Sequence, residues 1–323
     1  MTAFISRALL AGAASLALVT GAMAQDRTLK LGHLANEDNT WHKASVKFGE
    51  ELERLTEGRI AVEVYPNETL GAEVDLINGM QLGTADMTIT GESLQNWAPM
   101  AALLALPYAY DSLQEMDEVA GGEIGDEIEA QIIANAQIRP IAYFARGPRN
   151  LTSNRPIETP SDLDGLKLRV PNVPLFVDTW SSLGAQPTPM AFSEVFTSLQ
   201  NGTIDAQENP LALIASANFN EVQDYVNLTE HVRSWIYLTI SEMTWSQLSA
   251  EDQDAVMEAA AIAQDYEREL FLEDEERLRT ELQDRGMEFV EVDTAAFAEA
   301  ARPAVLDNVP DEIRDTAEQL FDN

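Results

Sequence analysis

The 323-residue chain contains no cysteine and only three histidines, His33, His42 and His231. The first absence excludes disulfides, thiol nucleophiles and cysteine-ligated metals, and the second nearly excludes a multi-histidine metal site. Positive charge is scarce: 20 Lys and Arg stand against 55 Asp and Glu, a net charge of −35. Polyphosphates and anionic bilayer surfaces are held by cationic side chains, so nucleic-acid and membrane-surface partners are not expected. The chain has no G-x-S-x-G elbow, G-x-G-x-x-G fingerprint, P-loop, H-E-x-x-H pair or EF-hand loop. Those absences lower the expectation of an enzyme without removing it, and neither cofactor nor metal is expected. Hydrophobic residues make up 45% and charged residues 23%. That is too apolar for a disordered chain, and the length allows about two core-bearing domains.

Long apolar runs are missing as well. Ala8 to Val19 is the longest, and it falls short of the ~20 residues that span a bilayer. Arg7 precedes it and Ala22-Met23-Ala24 follows it, so residues 1–24 read as a secretory signal with cleavage before Gln25. A buried N-terminal helix is the competing reading. Loss of Arg7 leaves 19 basic residues against 55 acidic ones, a net charge of −36. A secreted chain without cysteine fits a bacterial periplasm, and its acidity is compatible with a saline habitat.

What is present is a repeated strand–helix pattern. Thr28–Leu34 alternates like a strand, and Trp41, Ala44, Phe48, Leu52 and Leu55 recur at helical spacing before Gly58. Strands are predicted at Ile60–Val64 and Met87–Ile89, with a helix from Ala72 to Leu82 that stops at Gly83. This βαβαβ order implies a mostly parallel sheet covered by helices. The pattern restarts at Ile138. Strands are predicted at 138–144, 150–154, 166–170, 203–207, 225–229 and 235–241, and helices at 175–183 and 193–200. Thr159-Pro160-Ser161-Asp162 reads as a helix start. Ala250 to Arg285 reads either as one helix of about 54 Å or as a helix pair broken near Glu273–Glu276. A single helix of that length would overhang a lobe whose radius of gyration is about 14 Å.

In so acidic a chain, arginines on strands stand out. Arg169 lies near the carboxyl end of its strand, the end outside which α/β sheets bind ligands, and its planar fork matches a carboxylate. A solvated or internally paired arginine is the competing reading, and the same holds for Arg149 beside the strand start at Asn150. Asn209-Pro210 is a turn signal as much as a ligand amide. Phe192 fits the first turn of a core helix. His33 and His42 have no evident nucleophile beside them.

The words Asn150-Leu151-Thr152-Ser153-Asn154, Gly165-Leu166-Lys167-Leu168-Arg169-Val170-Pro171, Pro187-Thr188-Pro189-Met190-Ala191-Phe192-Ser193-Glu194-Val195 and Ile204-Asp205-Ala206-Gln207-Glu208-Asn209-Pro210 carry a resemblance. They resemble the periplasmic substrate-binding proteins of the tripartite ATP-independent (TRAP) transporters, the DctP-type family, with the sialic-acid binders similar in this region. Tyr65-Pro66, Leu70-Gly71 and Leu106-Pro107-Tyr108 agree more loosely. The resemblance implies a two-lobed α/β periplasmic-binding-protein fold with a hinge and a long helix across both lobes. It places lobe I at residues 25–146 plus about 235–274 and lobe II at 147–234 plus about 275–323, with crossings near Arg146 and Trp235.

It also implies function. The family's receptors close on an organic acid and deliver it to a small and a large integral membrane subunit. Carried over, Arg169 is the carboxylate clamp, Arg149 a second arginine on the acid, Asn209 the amide on its other side, and Phe192 an aromatic wall. Glu73 and Glu92 match acids that take ligand hydroxyls, and His33 lies where subfamilies differ. Two arginines with two acids point to a sugar acid such as a uronate or aldonate. A C4-dicarboxylate, a sialate or a sulfonate is the alternative, and a secreted enzyme or a sensor-type binding protein is more remote. A periplasmic monomer that binds no nucleic acid is expected.

Overall fold

A computed structural model describes residues 27–322. The expected signal segment lies outside the described residues. Among the described residues, no helix is long and apolar enough to cross a membrane.

The chain begins with β1 (Arg27–Gly32), in which Leu29 and Leu31 are buried and Thr28 and Lys30 exposed. Asn39 caps α1 (Thr40–Leu55) by accepting from the Trp41 N–H. Trp41, Ala44, Phe48 and Leu52 form the buried stripe that the spacing predicts. After β2 (Ile60–Tyr65), α2 (Glu73–Leu82) ends at Gly83, whose φ of 77° is the left-handed stop that only glycine adopts cheaply. β3 (Met87–Thr90) follows.

Residues 92–136 carry no clear period in the sequence, and the structure explains why. Glu92–Asn96 and Pro99–Ala105 are 3₁₀ turns, and Met100 to Ala105 are all buried, so no face remains polar. Two helices, α3 (Leu113–Ala120) and α4 (Glu123–Ala136), then lead to β4 (Ile138–Ala145).

The chain next crosses to a second sheet. Its elements are β5 (Arg149–Ser153), β6 (Lys167–Val170), α5 (Pro174–Ser182), β7 (Gln186–Pro189), α6 (Val195–Gln200), β8 (Ala206–Pro210), α7 (Leu211–Ser216) and β9 (Tyr225–Val232). One local expectation is corrected here. Thr159 does form a capping box, but it starts only the 3₁₀ turn Pro160–Leu163. β7 carries Pro187 and Pro189 and survives because it is an edge strand, where a missing N–H costs no ladder bond.

The chain returns through Arg233 and Ser234 to β10 (Trp235–Ser241), followed by α8 (Glu242–Trp245) and α9 (Ala250–Asp284). The last elements are β11 (Glu288–Val290), α10 (Thr294–Asn308) and α11 (Arg314–Asp322). The first sheet has the order β2-β1-β3-β10-β4, parallel from β2 to β3 and antiparallel at β10. The second is mixed, with the order β11-β9-β5-β8-β6-β7.

α9 is one unbroken helix of 35 residues, so the reading as a broken pair is wrong. Its two ends bury in different cores. Val256, Ala259, Ala260 and Ala263 pack with Leu29, Phe48 and Leu238 of the first sheet's layer. Leu278 and Leu282 pack with Val195, Ile214, Phe219 and Val226 of the second. The result is a two-lobed α/β molecule with three crossings: after β4, before β10 and along α9.

Candidate ligand-binding site

Between the two sheets lies a cavity whose empty space, counted out through its open mouth, is about 600 Å³. Its wall is built outside the carboxyl ends of the strands, where α/β sheets place ligands. Glu92 and Ser93 follow β3, Arg169 sits in β6 just ahead of Pro171, Phe192 follows β7, and Asn209 lies near the end of β8. Arg146 and Arg149 enter from the crossing after β4.

Most of this charge is already spent. Arg149 is 2% exposed. Its Nε donates to Glu208 Oε2 at 2.5 Å, and its Nη2 donates to Glu208 Oε1 at 2.8 Å and to Asn209 Oδ1 at 3.1 Å. Its Nη1 donates to Glu92 Oε1 at 3.2 Å, and Glu92 in turn takes a hydrogen bond from Arg146. Arg146 also donates to Ser234 Oγ at 2.7 Å. Burial alone would weaken the Arg149 cation, but Glu208 and Glu92 reverse that and raise its pKa. Burial likewise pushes the Glu208 carboxyl up, and Arg149 outweighs it, leaving a pKa of about 2. His231 Nε2 lies 2.8 Å from Glu208 Oε2, and its Nδ1 lies 2.9 Å from Thr229 Oγ1. Burial lowers its pKa despite Glu208, so it is a neutral imidazole. A carboxylate can only accept, which puts the ring proton on Nε2.

Arg169 differs. It is 3% exposed, and its Nε and Nη2 donate to the Met190 carbonyl at 3.1 and 2.8 Å. Among the described residues no carboxylate lies within ion-pair distance of it. Burial lowers its pKa to about 10, with Glu208 only partly offsetting and Arg149 adding to the fall. A guanidinium has five N–H donors. With Nε and one Nη2 hydrogen taken, the Nη1–Nη2 edge of Arg169 retains the parallel pair that a carboxylate requires. The Phe192 ring lies 5.9 Å beneath the charge.

The opposite wall is acidic. Glu73, in the first turn of α2, accepts from Thr90 Oγ1 at 2.6 Å and Ser93 Oγ at 3.0 Å. Burial raises its pKa, and the neighbouring Glu92 raises it further. Burial acts on Glu92 in the same direction, but Arg146 and Arg149 prevail and lower its pKa. Glu68 Oε2 accepts from the Ser193 N–H at 3.1 Å and ties the two sides together. Asn96 Nδ2 to the Asn172 carbonyl at 2.9 Å is a second such tie.

Arg169, Arg149, Asn209, Phe192, Glu73 and Glu92 therefore all line one cavity. His33 is not part of that lining: it is buried, its Nε2 lies 3.2 Å from His42 Nδ1, and burial followed by His42 lowers its pKa to about 3. Arg149 spends its donors on Glu208, Glu92 and Asn209, and Asn209 Nδ2 donates one hydrogen to Gln207 Oε1 at 2.6 Å, pairings that no spacing reveals. Glu68, Ser93 and Arg146 also line the cavity. Of these three, only Arg146 had a signal in the sequence, as a crossing point.

Comparison with known proteins gives a consistent result. The model of the bacterial extracellular solute-binding proteins, family 7 (DctP), matches residues 31–309. A solute-binding protein of Roseobacter denitrificans is 74% identical over 302 residues, covering 94% of this chain and 93% of that protein. The crystal structure of a TRAP periplasmic solute-binding protein from the same organism, with bound L-galactonate, superimposes with a TM-score of 0.91 over 92% of this chain and 99% of that one. The 2,3-diketo-L-gulonate-binding periplasmic protein of Escherichia coli is 33% identical over 284 residues, covering 87% of this chain and 86% of that protein.

Proposed function

The chain belongs to family 7 of the bacterial extracellular solute-binding proteins, and on that premise we propose that it is the periplasmic receptor of a TRAP transporter for a sugar acid, an aldonate such as L-galactonate. The observation that carries this reading is the buried, carboxylate-free Arg169 in a cavity whose other arginines are neutralised. The Nη1–Nη2 edge of Arg169 takes the ligand carboxylate, and the second amide hydrogen of Asn209 supports it. Phe192 covers the apolar edge of the carbon chain. Glu73 and Ser93 take the hydroxyls. The 74% identical relative with bound L-galactonate favours an aldonate over a uronate.

Binding and closure are one process. Arg169 and Asn209 belong to the second sheet's lobe, while Glu73 and Ser93 belong to the first. A ligand that touches both stabilises the closed state, and only such differential contact shifts the balance. The Glu68–Ser193 and Asn96–Asn172 bonds form with it. The lobes follow the two sheets and exchange chain at Arg146 and Trp235, as the family pattern implies. The closed form then presents its surface to the two membrane subunits. The site holds ligand without transforming it.

A thermal-shift screen over organic acids, followed by titration calorimetry, tests the reading. Specific binding raises the midpoint by mass action. L-Galactonate is expected to give the large shift, and a screen in which no sugar acid moves the midpoint refutes the proposal.

A further inference from the structure

We propose that the cavity admits a single carboxylate, so that the chain accepts hydroxylated monoacids and rejects the matching diacids, with Glu73 as the residue that rejects them. This rests on the sugar-acid reading and deepens it.

Three guanidiniums line the cavity, Arg146, Arg149 and Arg169, together with three carboxylates, Glu68, Glu73 and Glu92. Glu208 stands directly behind Arg149 as a fourth acidic group, so acids outnumber guanidiniums four to three before any ligand enters. Arg146 is committed to Glu92, and Arg149 to Glu208 and Glu92. Only Arg169 is left to compensate an incoming anion, and a second carboxylate finds no cation of its own.

Glu73 turns that shortage into discrimination. Both its oxygens accept from uncharged hydroxyls, those of Thr90 and Ser93. Among the described residues no Lys or Arg lies within ion-pair distance of it. A ligand hydroxyl can donate to such a carboxylate, whereas a ligand carboxylate meets it acceptor to acceptor. Like charges set against each other in a site closed to water are strongly unfavourable. Arginine number alone would mislead: three arginines in one cavity invite a diacid, and their partners remove two of them.

L-Galactonate and galactarate carry the same row of hydroxyls and differ in the oxidation of one terminal carbon. Titration of both into wild type is expected to give galactarate binding at least about a hundredfold weaker. Glu73→Gln, which keeps the shape and loses the charge, is expected to narrow that ratio at least about tenfold, with Glu73→Ala as the second variant. Erythronate against meso-tartrate repeats the wild-type comparison without relying on any variant. Diacid binding within tenfold of the monoacid on wild type overturns the inference while leaving the sugar-acid reading intact. An unchanged ratio in a folded Glu73 variant removes Glu73 from the role. Wild type that binds none of these acids overturns the sugar-acid reading, and this inference falls with it.

Discussion

Replacing Arg169 by alanine is expected to separate affinity from stability, and replacing Arg149 is expected to do the opposite. Truncating one partner of a buried charge pair between protein and ligand costs about 2–5 kcal/mol of binding. At 1.4 kcal/mol per tenfold, the dissociation constant of Arg169→Ala rises about 30- to 4,000-fold. The ligand-free protein should not suffer in proportion. Arg169 is buried without a carboxylate, its pKa is pulled down to about 10, and its anchors are two hydrogen bonds to one carbonyl. Removing an uncompensated buried cation relieves a desolvation penalty, which offsets the lost packing on Phe192. Its unfolding free energy without ligand is therefore expected to stay within about 1 kcal/mol of wild type. Arg149→Ala instead strips Glu208 of the cation that holds its pKa at about 2 and leaves a fully buried carboxylate. Breaking a buried pair in this way costs about 3–5 kcal/mol of stability. Calorimetric titration and urea denaturation of both variants give the four numbers. An Arg169→Ala protein that binds L-galactonate within threefold of wild type, or that loses as much stability as Arg149→Ala, refutes the reasoning.

Three further outcomes follow from the same structure. Glu267 on α9 is buried, accepts from Thr40 Oγ1 and the Ala145 N–H, each at 3.0 Å, and is pushed by burial to about 8. Its native pKa lies above the unfolded value near 4.5, so its neutral form supports the fold below that value and the support is lost as pH rises through 8. Glu267→Gln is expected to be more stable than wild type by roughly 4 kcal/mol at most at pH 8, with the advantage gone at pH 4.5, as read by denaturation at both pH values. An anion approaching a chain of net charge −35 is repelled at long range, so stopped-flow association with L-galactonate should speed up between low and high salt; a rate that falls with salt contradicts this. Ala263→Pro inside the buried part of α9 removes a helix hydrogen bond and is expected to cost about 3 kcal/mol or more, visible in the urea midpoint.

The sequence determined by itself whatever depends on neighbours along the chain. The spacing of Trp41, Ala44, Phe48 and Leu52, the glycine stop at Gly83 and the whole of β10 were legible because helix and strand periods are local. So, through the likeness to a family, were six of the side chains that meet in the cavity, Arg169, Arg149, Asn209, Phe192, Glu73 and Glu92; Glu68 and Ser93 were missed, and His33 lies outside the lining. Tertiary structure decided what each charged group faces. Nothing in the order of residues distinguishes Arg149, saturated by Glu208 some sixty residues later, from Arg169, which keeps one edge for a ligand. Nor does it show that Glu73 is held by hydroxyls rather than by a cation. Coulomb and hydrogen-bond energies depend on distance in space and on burial, and both are set only when two sheets that cross three times close around the same cavity.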